Sequence, residues 1–418
     1  MRVNNYVLNN HINWTKDLAN DPYFRLVFPQ PDMLQEPEHV ESLINLAKSK
    51  VSAAGKAVHV EKLREKLDLN AHPAGQLTEN VPMMDGKPVE GVQHKYQATM
   101  LIFPSEGQYC HSYCTYCFRW QQFTNVGSQQ QFKSDQANDF LNYIKSHKHI
   151  KDLLFTGGDP MTMSAEVLGN YLDPILKDPE CSHVQTVRIG TKSLAYWPRR
   201  FTTDADAKPM LDLFRRVDKS GRNLSIQAHF SHPVELDTPE VAEAIKNIKK
   251  TGAVIRTQAP LIKGINDSAA TWAEMWNKQT RMGLIPYYMF VERDTGARKF
   301  FEVPLARALE IHHEAISECP GTARTLRGPS MSAGPGKIQV LGISSFLGEK
   351  VFVLKFLQAR NPHWCAPDKL FYAKFDPGAV WLDDLTPAFG EKRWFFEDEY
   401  DEMKTRTDGS SGQRLFTS

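Results

Sequence analysis

Nothing in this 418-residue sequence approaches the roughly 18 uninterrupted apolar residues of a membrane-spanning helix, so no membrane span is expected. Met1–Leu18 lacks a basic start, an apolar core and a small-residue cleavage site, and no secretory leader is expected there. Neither sign of charge is in excess: 50 Lys and Arg against 49 Asp and Glu leave a net +1. That balance offers no electrostatic argument for a nucleic-acid partner or an anionic surface. Cysteine is scarce, six in all, without the spacing of a disulfide framework. Three of the six crowd into one short segment, which in a cytoplasmic chain points to metal rather than disulfides. A cytoplasmic protein is therefore the expectation. Repeats of fixed period and low-complexity tracts are missing as well.

What is present is a regular alternation. Tyr96–Phe103, Leu153–Thr156, Val187–Gly190, Leu224–Phe230, Val254–Gln258 and Ile285–Val291 read as strands. Helical patterns fall between or after them, at Asp135–Ser146, Ala165–Leu176, Lys208–Val217, Pro239–Lys250, Ala269–Met282 and Pro304–Ser317. The fourth is the clearest: Thr238 caps, Pro239 suits the first helical position, Val241, Ile245 and Ile248 share a face, and Gly252 closes it. Six strand–helix units predict a parallel sheet with right-handed crossovers, either a partial barrel or an open doubly wound sheet. Both put functional residues at the carboxyl ends of the strands. Residues 1–90 are expected to be a mostly helical extension, 91–345 the core and 346–418 a carboxy-terminal extension. Lys404–Ser418 is polar and expected to fray.

The cysteines read Cys110-His-Ser-Tyr-Cys114-Thr-Tyr-Cys117, just after the first strand. Three thiolates within eight residues can wrap a [4Fe–4S] cubane and leave one iron without a protein ligand. That iron can chelate the amino and carboxylate groups of S-adenosylmethionine and pass an electron to its sulfonium. Zinc is the competing reading, with His111 or His94 as fourth ligand, but the CxxxCxxC spacing resembles radical S-adenosylmethionine enzymes. Cys181, Cys319 and Cys365 are scattered and read as ordinary thiols.

One unit later, Leu153–Thr156 runs into Gly157-Gly158-Asp159-Pro160, where two glycines let backbone approach a ligand. His229 and Gln258 end the fourth and fifth strands and are candidates for the same pocket; a satisfied structural histidine is the plain alternative for His229. Lys337 lies in Gly334-Pro-Gly-Lys337-Ile, an accessible amine whose partial burial would favour imine chemistry. A phosphate-binding P-loop is a poor alternative, because Ile338 stands where Ser or Thr is required.

Taken in order, these pieces resemble the lysine 2,3-aminomutase family, from about Asn20 to Val340. The resemblance rests on His94-Lys95-Tyr96, the cysteine segment, Leu154–Pro160, Val187–Gly190, His229–Pro233, Gln258 with Gly264–Asp267, Tyr287–Phe290 and Gly334–Ile338. It implies a partial (β/α)6 barrel of the radical S-adenosylmethionine type, and an isomerase moving an amino group from the α- to the β-carbon of a free amino acid. It further implies pyridoxal phosphate bound as a Schiff base to Lys337, with Arg119 holding the substrate α-carboxylate. Gly157, Gly158, Asp159, His229 and Gln258 would contact the cofactors. An electron donor such as flavodoxin or ferredoxin and a homo-oligomer are implied as well.

The sequence also departs from that family. Lysine-specific members hold the distal ammonium with two aspartates; counting from the flanking motifs, these positions are Arg293 and Ser330. A cation there repels lysine and attracts a carboxylate, so an acidic substrate is expected, glutamate first. A one-residue shift onto Asp294 would instead restore a lysine or arginine 2,3-aminomutase. Modification of a protein or RNA side chain, or a redox-sensing iron–sulfur protein, are the further alternatives. Thr99 replaces a cofactor-region arginine. The family's carboxy-terminal zinc cysteines have no counterparts, and no structural zinc is expected.

Overall fold

A computed structural model of the chain describes residues 2–33, 37–67, 78–119, 137–293 and 297–405. Asp135, at the start of the first expected helix, Asp294 and all of the expected frayed stretch beyond Thr405 lie outside the described residues. Eleven strands form one sheet: β1 (Val92–Tyr96), β2 (Thr99–Ile102), β3 (Asp152–Phe155), β4 (Thr186–Thr191), β5 (Asn223–His229), β6 (Val254–Leu261), β7 (Ile285–Val291), β8 (Arg327–Ser332), β9 (Gly336–Phe346), β10 (Glu349–Ala359) and β11 (Leu370–Lys374). Their spatial order is their chain order, with β1 and β11 at the edges. All six expected strands appear among β2–β7.

Strands β2 to β8 run parallel, each beside its predecessor. A doubly wound sheet must reverse its strand order at a switch point; this one never does, so the topology is that of a barrel left open. The crossovers are α1 (Ala137–Ser146), α2 (Ala165–Lys177), α3 (Ala207–Lys219), α4 (Pro239–Lys249), α5 (Ala269–Arg281) and α6 (Leu305–Ser317). In α4 the Thr238 hydroxyl accepts from Val241 N at 3.3 Å, Pro239 opens the helix, and Val241, Ala244, Ile245 and Ile248 are buried. Gly252 ends that turn at φ +91°, where a side chain would also strike the Asp218 carboxylate. Along β5, Leu224 to Ala228 are all buried, as expected for a parallel strand covered on both faces.

The seventh parallel strand, β8, was not expected; its Gly328-Pro329 breaks the pattern of a strand interior. From β8 the sheet continues antiparallel through β9, β10 and β11. The aromatics after residue 350 build a second core, in which Phe356, Trp364, Phe371, Trp381 and Phe396 pack beside β8–β10. Before the barrel come the helices Asn5–Asn10, Pro22–Val27, Pro37–Lys48 and Ala53–Leu67, then a short hairpin of Met83–Met84 with Lys87–Pro88. Among the described residues, no helix is long and apolar enough to cross a membrane.

Candidate active site

The carboxyl ends of the parallel strands open into one cavity of about 350 Å³. It is lined by Cys110, Cys114, Cys117, Arg119, Gly157, Gly158, Asp159, His229, Gln258, Arg293 and Lys337 together. Residues drawn from across some 230 positions of sequence therefore share one volume.

The cysteine loop has little secondary structure of its own and is fastened by the amino-terminal segment. Tyr113 N donates to Arg2 O at 3.0 Å and Thr115 N to Leu26 O at 2.9 Å. Asn4 Nδ2 reaches His111 O at 3.2 Å and Tyr196 O at 2.9 Å. Burial pushes all three thiols up, Cys117 to about 12 with Cys114 adding to it, and Cys110 further through Asp159 and the other two thiols. A bound cation would offset that cost and favour the thiolates. His94 is committed to Tyr143 Oη at 2.7 Å and Gln97 O at 3.0 Å, and His111 Nδ1 to Ser193 Oγ at 3.0 Å. Among the described residues no three His, Cys, Asp or Glu side chains converge as ligands of a single ion must. A cubane makes no such demand, because its thiolates bind different irons. The three-thiol donor set fits a [4Fe–4S] cluster.

Cys114 has a further partner: the Tyr196 hydroxyl lies 2.8 Å from its sulfur. Behind Tyr196, Lys192 Nζ sits 4.9 Å from the ring centroid and forms a buried ion pair with Glu235 at 2.7 Å. Glu235 Oε1 also accepts from Tyr23 Oη at 2.8 Å, and Oε2 from the Ser231 and His232 backbone. The strand Val187–Gly190 that leads to Lys192 was visible in the sequence, but this network was not. Glu235 and Tyr23 lie 43 and 169 positions from Lys192, and no local pattern links them.

The glycines of the Gly157–Pro160 loop are required by the chain itself. A Cβ at Gly157, at φ +139°, would sit 2.3 Å from Gln108 Nε2, and one at Gly158 would sit 2.5 Å from Tyr109 N. The close approach is that of the segment leading to Cys110, which these glycines let pack under the pocket. Asp159 lines the cavity, but four donors of the chain occupy its carboxylate. Oδ1 accepts from Met161 N at 2.9 Å and Thr191 Oγ1 at 2.7 Å; Oδ2 accepts from Lys192 N at 3.0 Å and Ser193 Oγ at 2.9 Å. These bonds make Asp159 a brace joining the glycine loop to the end of β4 at the cavity wall. His229 Nε2 is likewise engaged, with Tyr116 Oη at 2.9 Å and Ser231 Oγ at 3.2 Å, and burial pushes the ring well below the usual imidazole range. Its ring also lines the cavity wall. Gln258 faces the cavity between His229 and Tyr288 in the sheet register.

At the other end lies Lys337, on β9 opposite Ser332 of β8 and Gln358 of β10. Its Nζ stands 4.2 Å from the Tyr288 ring centroid. Burial first, then the Arg188, Arg327 and Arg293 cations, lower its ammonium to about 7. That supplies free amine at neutral pH, as a Schiff-base lysine requires. Arg119 and Arg293 stack near one ring, Phe118, at 4.8 and 4.9 Å. Burial, then Arg293, draws Arg119 down to about 9. Ser330 departs from expectation: it is buried on β8, its hydroxyl donating to Arg327 O at 3.3 Å, and it is absent from the cavity wall. Ser332 lines the cavity instead, one strand period nearer the carboxyl end, and Arg293 donates to its carbonyl. Two further wall residues were given no role by sequence reasoning: Lys95, partly buried in β1, and Glu292, whose carboxyl burial pushes well above the usual range.

A family model described as "4Fe-4S single cluster domain" matches residues 100–184, the span of the cysteine loop and the glycine loop. A protein of Aquifex aeolicus (strain VF5), provisionally named an L-lysine 2,3-aminomutase, is 29% identical over 390 residues, 93% of this chain and 88% of its own. The L-lysine 2,3-aminomutase of Methanococcus maripaludis is 27% identical over 62% of this chain and 55% of its own. The glutamate 2,3-aminomutase of Clostridioides difficile (strain 630) is 29% identical over 68% of this chain and 61% of its own.

Proposed function

Because this chain belongs to the lysine 2,3-aminomutase family of radical S-adenosylmethionine enzymes, we propose that it is a pyridoxal-phosphate-dependent 2,3-aminomutase for an acidic amino acid, glutamate first. One observation carries the reading: the three thiols and the depressed amine of Lys337 open into the same cavity. When bound, the cluster with S-adenosylmethionine supplies the hydrogen-abstracting radical, and pyridoxal phosphate supplies the π-system across which nitrogen migrates.

The chain's own residues do the positioning. Cys110, Cys114 and Cys117 hold the cluster, and Lys337 holds the pyridoxal group. Arg119 takes the substrate α-carboxylate, and Arg293, beside the same Phe118 ring, takes the distal carboxylate. The charge of the wall supports an acidic substrate. Arg119, Arg293, Arg188, Lys192, Lys95 and Lys337 line it, against Asp159 and Glu292; Arg188 and Lys192 are paired with Asp152 and Glu235 and burial draws Lys95 and Lys337 toward the neutral amine, so Arg119 and Arg293 carry the argument. Asp159 is consumed by its four donors, and burial favours the neutral form of Glu292. Among the described lining residues, then, neither carboxyl is a ready counter-ion for a lysine ammonium. A flavodoxin- or ferredoxin-type reductant and a homo-oligomeric state belong to the same proposal.

The test is anaerobic reconstitution with iron, sulfide and pyridoxal phosphate, then S-adenosylmethionine and dithionite with glutamate, aspartate, lysine, arginine or alanine offered separately. Mass spectrometry should find the β-isomer of glutamate together with 5′-deoxyadenosine. Turnover of lysine in its place overturns the acidic-substrate reading. Formation of 5′-deoxyadenosine with no isomer from any amino acid overturns the free-amino-acid reading.

A further inference from the structure

The turn that precedes Lys337 is held to an unusual degree. Four successive carbonyls each accept a hydrogen bond from a distant part of the chain. Ser332 O takes one from Arg293 at the end of β7, and Ala333 O one from Lys95 in β1. Gly334 O accepts from Arg360 Nε at 2.9 Å and Pro335 O from Arg360 N at 3.0 Å. Arg360 follows β10 and is only 3% exposed. The rest of its guanidinium reaches the segment before the barrel: Nη1 to Glu79 O at 3.2 Å, Nη2 to Glu79 Oε2 at 3.0 Å and to Asn80 Oδ1 at 2.6 Å. Tyr400, in the helix Glu397–Thr405, donates to the same Glu79 oxygen at 3.0 Å. Its hydroxyl also fills the place where a Cβ at Gly334 would fall, 2.2 Å away, and a Cβ at Gly336 would meet Gln358 O at 2.5 Å. The glycines around Lys337 are thus shaped by the segment after the barrel.

We propose that this segment is part of the cofactor site, with Arg360 the positioning residue that fixes the Lys337 hairpin and Glu79 and Tyr400 holding Arg360 in place. The proposal rests on the reading of Lys337 as the pyridoxal-binding lysine. The physical case is the number of fixed points. A four-residue turn between paired strands would otherwise pivot, and a shift of about 1 Å at a reacting atom costs up to about a hundredfold in rate. The Arg360 side chain makes four hydrogen bonds from three nitrogens of one rigid fork, whereas a lysine has three donors on a single nitrogen. Glu79 also offsets the crowding of cations, since burial, then Arg360 and Arg293, push Lys95 well below the usual lysine range while Glu79 pulls it back.

The full chain is compared with Arg360→Met, Arg360→Lys, Tyr400→Phe and Glu79→Gln, the last two being the milder changes if Arg360→Met does not fold. Two readouts are taken across pH 5–10. One is capture of pyridoxal phosphate at Lys337, scored by borohydride trapping and peptide mapping. The other is reductive methylation of Lys337 by formaldehyde, which needs no cofactor. We expect Arg360→Met to keep the electron paramagnetic resonance signal of its cluster, to slow pyridoxal capture about tenfold or more, and to move the methylation midpoint. Tyr400→Phe and Glu79→Gln should do so in part, and Arg360→Lys should recover only a fraction. Unchanged midpoints and capture rates in folded variants overturn the proposal. Failure of the wild type to capture pyridoxal phosphate at Lys337 overturns the cofactor reading, while the methylation midpoints still decide whether Arg360 positions the hairpin.

Discussion

Replacing Glu235 by Gln isolates the buried ion pair behind the cysteine loop. Glu235 is fully buried and Lys192 is 8% exposed, with nitrogen and oxygen 2.7 Å apart. The wild-type carboxylate accepts four hydrogen bonds, two at each oxygen. A glutamine has one acceptor oxygen, so its amide group must face either Lys192 and Tyr23 or the two backbone N–H groups. Either way, donors point at donors and the Lys192 charge loses its counter-ion. Breaking a buried pair from one side costs about 3–5 kcal/mol. At about 2 °C per kcal/mol for a large domain, Tm should fall by roughly 6–10 °C. Scanning calorimetry on the full chain, apo and reconstituted, measures this directly. The double variant Lys192→Met, Glu235→Gln should recover part of the loss, because the stranded charge is gone. A Tm within about 2 °C of wild type would refute the reasoning, since it would mean that water already reaches the pair.

Other consequences are open to measurement. Tyr196→Phe removes the hydroxyl beside Cys114, and with it a donor that stabilises the reduced, more negative cluster; the midpoint potential, followed by electron paramagnetic resonance, should become more negative. Pyridoxal capture by the apo-protein should rise with pH around a midpoint of about 7, because only the neutral amine of Lys337 reacts. Between pH 8 and pH 6 the neutral fraction falls roughly tenfold, whereas a midpoint near 10 would mean that the lysine is solvated. Gly158→Ala puts a methyl 2.5 Å from Tyr109 N, backbone that cannot step aside cheaply, and should lower iron bound per chain while leaving the far-ultraviolet circular dichroism of the barrel intact.

Much of the architecture was legible because parallel strands and their crossover helices each carry a local signature. Thr238-Pro239 and Gly252 bracket α4, and the run from Leu224 to Phe230 needs no knowledge of its neighbours. Local patterns also brought Cys110, Gly157, Gln258 and Lys337 to strand ends or to a turn, and closing the sheet gathered them. What stayed hidden was long-range. Arg360 reads as one more arginine after a strand, since its partners lie 26 and 280 or 281 positions away. The four donors that hold Asp159, two of them 32 and 34 positions away, are equally invisible in the sequence. Ser330 was reached by counting back from Lys337, and counting cannot tell that Ser332 stands at the wall in its place. Nor does the pattern of Glu349–Ala359 say which strand it will join.

The two ends of the cavity are fastened by opposite ends of the chain. Arg2, Asn4 and Leu26 secure the loop that carries the thiols, whereas Arg360 and Tyr400 secure the turn that carries Lys337. Damage to the chain therefore divides the chemistry unevenly. A cut before Arg360 leaves the contacts of Arg2, Asn4 and Leu26 with the thiol loop in one piece of chain and removes those of Arg360 and Tyr400 beside the turn, so the amine end is the end such a cut would loosen.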